Sequence, residues 1–298
     1  MKTSPVELNS KGADKGLMLP EFADRGYVIL KGVFSPDIVR GARAEMEKLV
    51  DQAAEKLLQM GRISDPLKED PFETRLHRLF EKNLDIAPQS WRKELHLAGL
   101  FDVFFNADLL DLVEKILGSE IRLYPNYTAR PKLPEWEGTL VPWHQDGGYT
   151  ENNPIKAKAA GAVGSAAELR MVNIWSPLVP ARPENGCMQF VPGTHKLGVV
   201  PHVKKPNYLE IAPESLAPHL KRAVDVVLDP GDVVLFHNLL FHHGQPNRTR
   251  MIRWSLDWRY QDATQSTLRE FHGHIARSRK NPSSAVKNSS EWSSLVFG

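Results

Sequence analysis

The sequence predicts a mainly β protein, an antiparallel jelly roll with helices packed outside it. Three observations carry this. From Ile121 onward the chain breaks into short apolar runs separated by turn residues. Within that region Arg253 to Tyr260 alternates, with Arg253, Ser255, Asp257 and Arg259 on one side and Trp254, Leu256, Trp258 and Tyr260 on the other, which describes a strand with two different faces. Ahead of it, apolar residues recur at helical rather than strand spacing.

Taken in order, residues 1 to about 18 are polar and expected to be loose. Phe22 to Phe34 reads as a short helix, a glycine stop at Gly26 and a strand. Ser35-Pro36-Asp37 is a helix start, with serine at the cap, proline at the first position and an acid in the first turn. That helix should reach about Gln59 and bury Ile38, Ala42, Met46, Leu49 and Val50. Gly61 to Asp85 is charged, aperiodic and broken by Pro66 and Pro71; it is expected to be either a solvated loop or a lid over substrate. Gln89 to Leu100 and Ala107 to Leu117 read as helices, the second stopped by Gly118.

The strands begin with Ile121 to Arg130. Arg130 and Lys132 are read as solvated loop cations, the alternative being contact with an acidic ligand. Glu151 to Glu168 is rich in alanine and glycine and is expected to be mobile. Asp229-Pro230-Gly231-Asp232 is a turn leading into the apolar strand Val233 to His237. Past Gln261 the chain leaves the β region, yet Trp292, Leu295, Val296 and Phe297 are too apolar for a free tail, so the C-terminus should dock on the body or on a second subunit. The expected organisation is a flexible 1–18 and a single domain 19–298, comprising helical support (19–118), a jelly-roll core (119–262) and a C-terminal extension (263–298).

Composition narrows the function. The 298 residues are 41% hydrophobic and 25% charged, ordinary for a globular protein. A net charge of +2, with no basic run interleaved with aromatics, argues against nucleic acid as partner. Cys187 is the only cysteine, so neither an intrachain disulfide nor a cysteine-type zinc site is available. The start lacks the apolar core of a signal peptide, and no apolar run approaches the roughly 20 residues that span a bilayer. The expectation is a cytoplasmic monomer or homodimer acting on a small molecule.

The chemistry is concentrated in Trp143-His144-Gln145-Asp146-Gly147-Gly148-Tyr149 and, about a hundred residues on, Leu240-Phe241-His242-His243-Gly244. An imidazole and a carboxylate two apart on an extended segment project the same way, and the second histidine cluster can supply a third ligand. Two neutral imidazoles and one carboxylate on one face of a divalent metal leave the other face open, as in non-haem iron(II) oxygenases. Gly147 and Gly148 are expected to end the strand and leave room above the site, with Trp143 and Tyr149 as its walls. Arg253 carries the planar fork suited to gripping a carboxylate, and Ser255 on the same face can donate another hydrogen bond. His237 reads as a strand residue, His195 and His202 as loop residues.

His144-x-Asp146, then His242 with Asn247, Thr249 and Arg253 behind it, and between them Glu184-Asn185-Gly186-Cys187-Met188-Gln189-Phe190-Val191-Pro192-Gly193-Thr194-His195-Lys196, together resemble the phytanoyl-CoA dioxygenase-like branch of the iron(II)- and 2-oxoglutarate-dependent oxygenases. The resemblance covers roughly Pro20 to Asp262. It implies a double-stranded β-helix (jelly-roll, cupin-like) barrel with flanking helices. It also implies that His144, Asp146 and His242 ligate iron, that Arg253 pairs with the distal carboxylate of 2-oxoglutarate, and that Ser255 completes an Arg-x-Ser pair. Trp175 would line the cofactor pocket, with Asn173 and Met171 on its face, while Gln145 points the other way. One departure stands out: His242 is followed by His243, and Gly244 comes one place later than the family pattern. Counting back from Asn247 and Arg253 favours His242; the adjacent His-Gly pair favours His243.

The implied cofactors are Fe(2+), 2-oxoglutarate as co-substrate and O2. The implied reaction is oxidation, above all hydroxylation, of an unactivated carbon with conversion of 2-oxoglutarate to succinate. Asp146 fills the position that halogenating relatives leave empty, which argues against halogenation. Two rival readings are a cupin-like metal-binding or sensor protein without turnover and a barrel metalloenzyme that uses no 2-oxoglutarate. The joint presence of His144, Asp146, His242 and Arg253 favours the oxygenase. No basic cluster suited to CoA phosphates is visible in the sequence, so a small or medium-sized metabolite is the preferred substrate.

Overall fold

The computed structural model describes residues 7–10, 16–151, 166–205 and 208–298. The alanine- and glycine-rich segment expected to be mobile lies almost wholly outside these residues, as does most of the polar N-terminus. The strands are β1 (Glu7–Asn9), β2 (Tyr27–Lys31), β3 (Glu120–Leu123), β4 (Thr128–Lys132), β5 (Val141–His144), β6 (Met171–Pro177), β7 (Met188–Val191), β8 (His202–Lys204), β9 (Leu209–Ile211), β10 (Val224–Val226), β11 (Val233–His237), β12 (Phe241–Gly244), β13 (Arg253–Asp262) and β14 (His274–Ser278). The larger sheet has eight strands in the order β1-β2-β11-β6-β13-β3-β14, with β4 also paired to β13; the smaller sheet is β10-β7-β12-β5. β8 and β9 form a separate hairpin. The predicted jelly roll is thus present as two sheets, which no hydrogen-bonded ladder joins into a closed barrel among the described residues.

Strand alternation divides the apolar residues into two cores. Tyr27, Ile29, Trp175, Phe190, Val226, Val234 and Phe236 fill the space between the sheets. Their neighbours Val28, Leu30, Val172, Ile174, Val233, Leu235, Trp254 and Trp258 face outward and are covered by Met46, Leu49, Leu76, Phe104 and Leu109 from helices. Each fully buried large apolar side chain stabilises by about 1.5–3 kcal/mol, so the helical layer holds the large sheet in place.

The helix Pro36–Gln59 starts as predicted: Ser35 Oγ accepts from the Ile38 N–H at 3.4 Å and Pro36 occupies the first turn. Three expectations need correction. Leu8, in the supposedly loose N-terminus, is buried, because Glu7–Asn9 pairs in parallel with β2 and covers that edge. Gln89 to Leu100 is not a helix; it contains two short 3-10 turns, and Trp91 instead bridges to Ala129 in β4. Gly61 to Asp85 is a solvated loop only in its first part, since residues 61 to 70 are mostly exposed, and the rest packs on the body. Its helix Arg75–Phe80 buries Leu76, Leu79 and Phe80, and Phe72 stacks on Trp254 at 5.0 Å, on the face of the large sheet away from the smaller one.

The chain does not leave the β region after Gln261, because His274–Ser278 returns to pair with β3 at the edge of the large sheet. Beyond it the C-terminus docks on its own body: Trp292 is fully buried, stacked on His96 at 3.9 Å, and Phe297 lies against Tyr127 at 4.9 Å. Among the described residues no helix is long and apolar enough to cross a membrane.

Candidate metal centre

His144 ends β5 and His242 lies on β12, and the two are direct partners across this ladder of the smaller sheet. Asp146 reaches them differently from the expectation. The chain leaves β5 after His144 and turns at once into the helix Asp146–Glu151, so the bend, not strand alternation, brings the carboxylate back beside the imidazole. Gly147 and Gly148 lie within this helix, and what they permit is close packing. A Cβ on Gly147 would stand 2.5 Å from Leu239 Cδ2, and one on Gly148 would stand 2.5 Å from the His202 ring.

One ligand atom from each of His144, Asp146 and His242 lies within 4.8 Å of the others. His144 Nε2 is 3.8 Å from one Asp146 oxygen and His242 Nε2 is 3.9 Å from the other. Each ring is turned by the same device. His144 Nδ1 bonds the Pro142 carbonyl and His242 Nδ1 bonds the Leu240 carbonyl, both at 2.8 Å. A carbonyl only accepts, so each Nδ1 carries the proton and each Nε2 lone pair faces Asp146. Burial keeps both imidazoles neutral by lowering their pKa values. Burial opposes ionisation of Asp146, but the Arg259 guanidinium paired with it holds the carboxyl far below its ordinary value. Two neutral imidazole nitrogens and a carboxylate are a donor set that fits a divalent first-row metal.

The choice between the two histidines is explained by the strand. His243 points to the opposite side of β12, stacks on Trp143 at 4.1 Å and bonds Gln189 Oε1 through Nε2 at 2.9 Å. Trp143 is therefore no wall of the triad, whereas Tyr149 stands edge-on to His144 at 5.6 Å. Gln145 points away from the triad, as expected, and is fully buried. Its amide donates to the Leu239 and Gly198 carbonyls at 2.7 and 2.8 Å, and its oxygen accepts from the Val200 N–H at 2.9 Å. The Gln145 backbone N–H donates to His202 Nε2 at 3.3 Å. His237 and His195 form a separate ring pair 5.1 Å apart.

The triad opens into a cavity between the sheets, lined among others by Lys132, Asn173, Trp175, Met188, Phe236 and Arg253. Arg253 is 3% exposed and donates to the Gly186 carbonyl at 3.2 Å and to Ser255 Oγ, with its guanidinium 5.3 Å from the Trp175 ring centre. Among the described residues no carboxylate pairs with it, and burial lowers its pKa to about 10. Ser255 thus serves Arg253 and does not line the cavity itself. Asn173 donates to Asp146 at 2.7 Å, a contact on the metal side of the pocket. Met171 packs with Tyr124, Leu169 and Leu268 instead of lining this cavity.

Arg130 and Lys132 are not solvated loop cations. Both lie on β4, pair through the backbone with β13 and line the cavity. Lys132 is 4% exposed, donates to the Thr139 and Gly244 carbonyls at 3.2 and 3.4 Å, and is pushed well below its ordinary pKa by burial. Arg130 bonds Asp257 at 2.6 Å. Arg259 was legible only as a residue sharing a strand face with Arg253, yet it clamps Asp146 at 2.7 Å.

A family model for phytanoyl-CoA dioxygenase (PhyH) matches residues 22–255. Among individual relatives, the 1-deoxypentalenic acid 11-beta-hydroxylase of Streptomyces arenae is 25% identical over 257 residues, covering 82% of this chain and 80% of the relative. The peroxisomal phytanoyl-CoA dioxygenase of Rattus norvegicus is 32% identical over 250 residues, covering 80% and 66%. In three dimensions the chain is similar to EctD from S. alaskensis, solved with 2-oxoglutarate and 5-hydroxyectoine, with a TM-score of 0.59 at 20% identity over 94% of this chain and 86% of that one. The match across most of the sequence, and the cluster of His144, Asp146 and His242, lead to one conclusion: the chain belongs to the phytanoyl-CoA dioxygenase (PhyH) family of non-haem iron(II)- and 2-oxoglutarate-dependent oxygenases.

Proposed function

We propose that this protein hydroxylates an unactivated carbon of a small or medium-sized metabolite, with His144, Asp146 and His242 holding iron(II) and Arg253 holding the distal carboxylate of 2-oxoglutarate. The observation that carries the second assignment is Arg253 itself, a buried guanidinium without a carboxylate partner among the described residues. Burying an unpaired ion costs on the order of several kcal/mol, a penalty that a dianionic co-substrate offsets and that a purely structural arginine would not need. A metal-binding protein without turnover, or a metalloenzyme without a 2-oxo acid, has no use for it. The relative named as a hydroxylase supports hydroxylation over the other outcomes open to the family.

When bound, iron(II) and 2-oxoglutarate together supply the activation of dioxygen, with the 2-oxo acid decarboxylated to succinate. The chain's own groups orient and enclose. The Pro142 and Leu240 carbonyls fix both imidazole tautomers, and Arg259 and Asn173 hold the two oxygens of Asp146 in place. Ser255 and the Gly186 carbonyl hold the Arg253 fork, and the Trp175 ring flanks it. Phe236 and Met188 give the cavity apolar walls that exclude water from the reacting centre.

The test is an anaerobic titration of the purified protein with iron(II) and then 2-oxoglutarate, following the visible charge-transfer band of the chelate, and then admission of oxygen with assay of succinate. Appearance of the band and of succinate is expected. Iron binding without a 2-oxoglutarate band would remove the role given to Arg253 and point to another metal chemistry.

A further inference from the structure

The cavity continues outward into a second space, and the two share Gln89, Arg130, Val141, Asp146, Tyr208 and Arg259 as lining. The outer space adds Arg92 and Arg269. Their partners are neutral: Arg92 reaches Asn126 Oδ1 at 3.4 Å, and Arg269 lies over the Tyr124 ring at 5.4 Å. Among the described residues neither makes an ion pair. Their neighbours are engaged, Arg130 with Asp257 and Arg259 with Asp146.

Around the two spaces together stand Arg92, Arg130, Arg253, Arg259 and Arg269, opposed by the carboxylates Asp146 and Asp257 alone. Iron(II) and a 2-oxoglutarate dianion bring equal and opposite charge, so loading the inner site leaves the excess of positive charge in place. Burial and the Arg130 guanidinium, opposed by Asp257, lower the pKa of Arg92, with Arg259 and Arg269 adding to the effect. In sequence these arginines are scattered from 92 to 269, so no basic run announces them.

We propose that the substrate is an anion, and that its carboxylate or phosphate oxygens dock on Arg92 and Arg269 at the mouth, with the reacting carbon extending inward toward the triad. This rests on the reading of the inner site as that of an iron(II)- and 2-oxoglutarate-dependent oxygenase. Guanidinium forks match either oxyanion with paired hydrogen bonds, and a neutral amide of the same shape cannot replace the charge.

The experiment measures binding of octanoate, octyl phosphate and octanamide by calorimetry, using protein saturated anaerobically with iron(II) and 2-oxoglutarate and, in parallel, unloaded protein. At least one anion should bind about fivefold or more tightly than octanamide, the scale of a charge-assisted contact at a partly solvated site. The Arg92→Gln/Arg269→Gln double variant should lose that preference. Which of the two anions prevails identifies the head group. Equal binding of all three probes, no binding by any, or a preference that survives the double substitution overturns the proposal. The visible band, recorded on the same samples, separates the two readings. A preference for anions without a 2-oxoglutarate band would leave the anion site standing and remove the oxygenase reading, whereas a band without the preference would do the reverse.

Discussion

The two faces of β13 are both buried and do opposite things. On the outer face Trp254 lies between Phe72 and Trp91, at 5.0 and 5.7 Å, and donates to the Phe72 carbonyl, while Tyr260 donates to the Phe104 carbonyl at 2.6 Å. The contacts there are aromatic stacking and hydrogen bonds to backbone carbonyls, and burial of this apolar surface stabilises. On the inner face Arg253, Ser255, Asp257 and Arg259 are also buried, but burial of their charges costs stability unless a partner is present. Arg259 and Asp257 have partners within the protein, whereas Arg253 has none of opposite charge among the described residues. One strand therefore anchors the fold with its even-numbered residues and addresses a ligand with its odd-numbered ones.

That division can be tested from its largest consequence downward. Replacing His242 with alanine should abolish iron-dependent succinate formation, by about a thousandfold or more, while leaving the melting temperature close to that of the parent. Activity persisting in His242→Ala would reopen the case for His243. On the opposite face Trp254→Ala should cost about 3–5 kcal/mol, a large part of the stability of an ordinary domain, and denaturant unfolding measures it. A loss under 1 kcal/mol would show that the outer face is not the anchor.

Arg253→Ala sharpens the contrast because its two effects have different signs. The 2-oxoglutarate concentration for half-saturation should rise about tenfold to a hundredfold, as expected for losing a charge-assisted contact of about 1.5–3 kcal/mol. Stability of the unloaded protein should hold or rise, since a buried cation without a counterion is gone. Destabilisation on the scale of Trp254→Ala would contradict the separation of roles.

The smallest effect concerns pH. Burial lowers His237 and His274 from 6.5 to about 4, so between those values the unfolded chain takes up protons that the folded chain refuses. Stability should therefore fall as the pH drops from 6.5 to 4 and change little from these groups above 6.5. His274→Gln should flatten part of that slope in melts recorded across the window; an unchanged slope would exclude His274 as a contributor.

Much of this was legible in the sequence, for identifiable reasons. The capped start at Ser35, the alternation of β13 and the apolar C-terminus are local signals, and each is present. His144, Asp146, His242 and Arg253 stand out because each is a chemically distinctive residue in a fixed spacing. What failed was whatever depends on distant partners. Trp91 pairs with Ala129 and so gives up a helix, and Phe72 sits on Trp254 and so turns a charged stretch into structure. Lys132 and Arg130 look like loop cations until β4 is laid beside β13. Asp146 was placed on a strand because periodicity cannot see the abrupt change to a helix after His144.

Gln145 spans from the segment that carries His144 and Asp146 to the residue before the Leu240 carbonyl that orients His242. Its hydrogen bonds belong to the protein alone, so the three donors are already assembled before any ion arrives. A ready-made pocket of this kind ranks divalent ions by their intrinsic appetite for nitrogen and oxygen, and on that scale nickel, copper and zinc outrank iron(II). The metal found in the purified protein will therefore reflect what the cell or the buffer offered, and iron has to be supplied fresh, under exclusion of air and of its competitors.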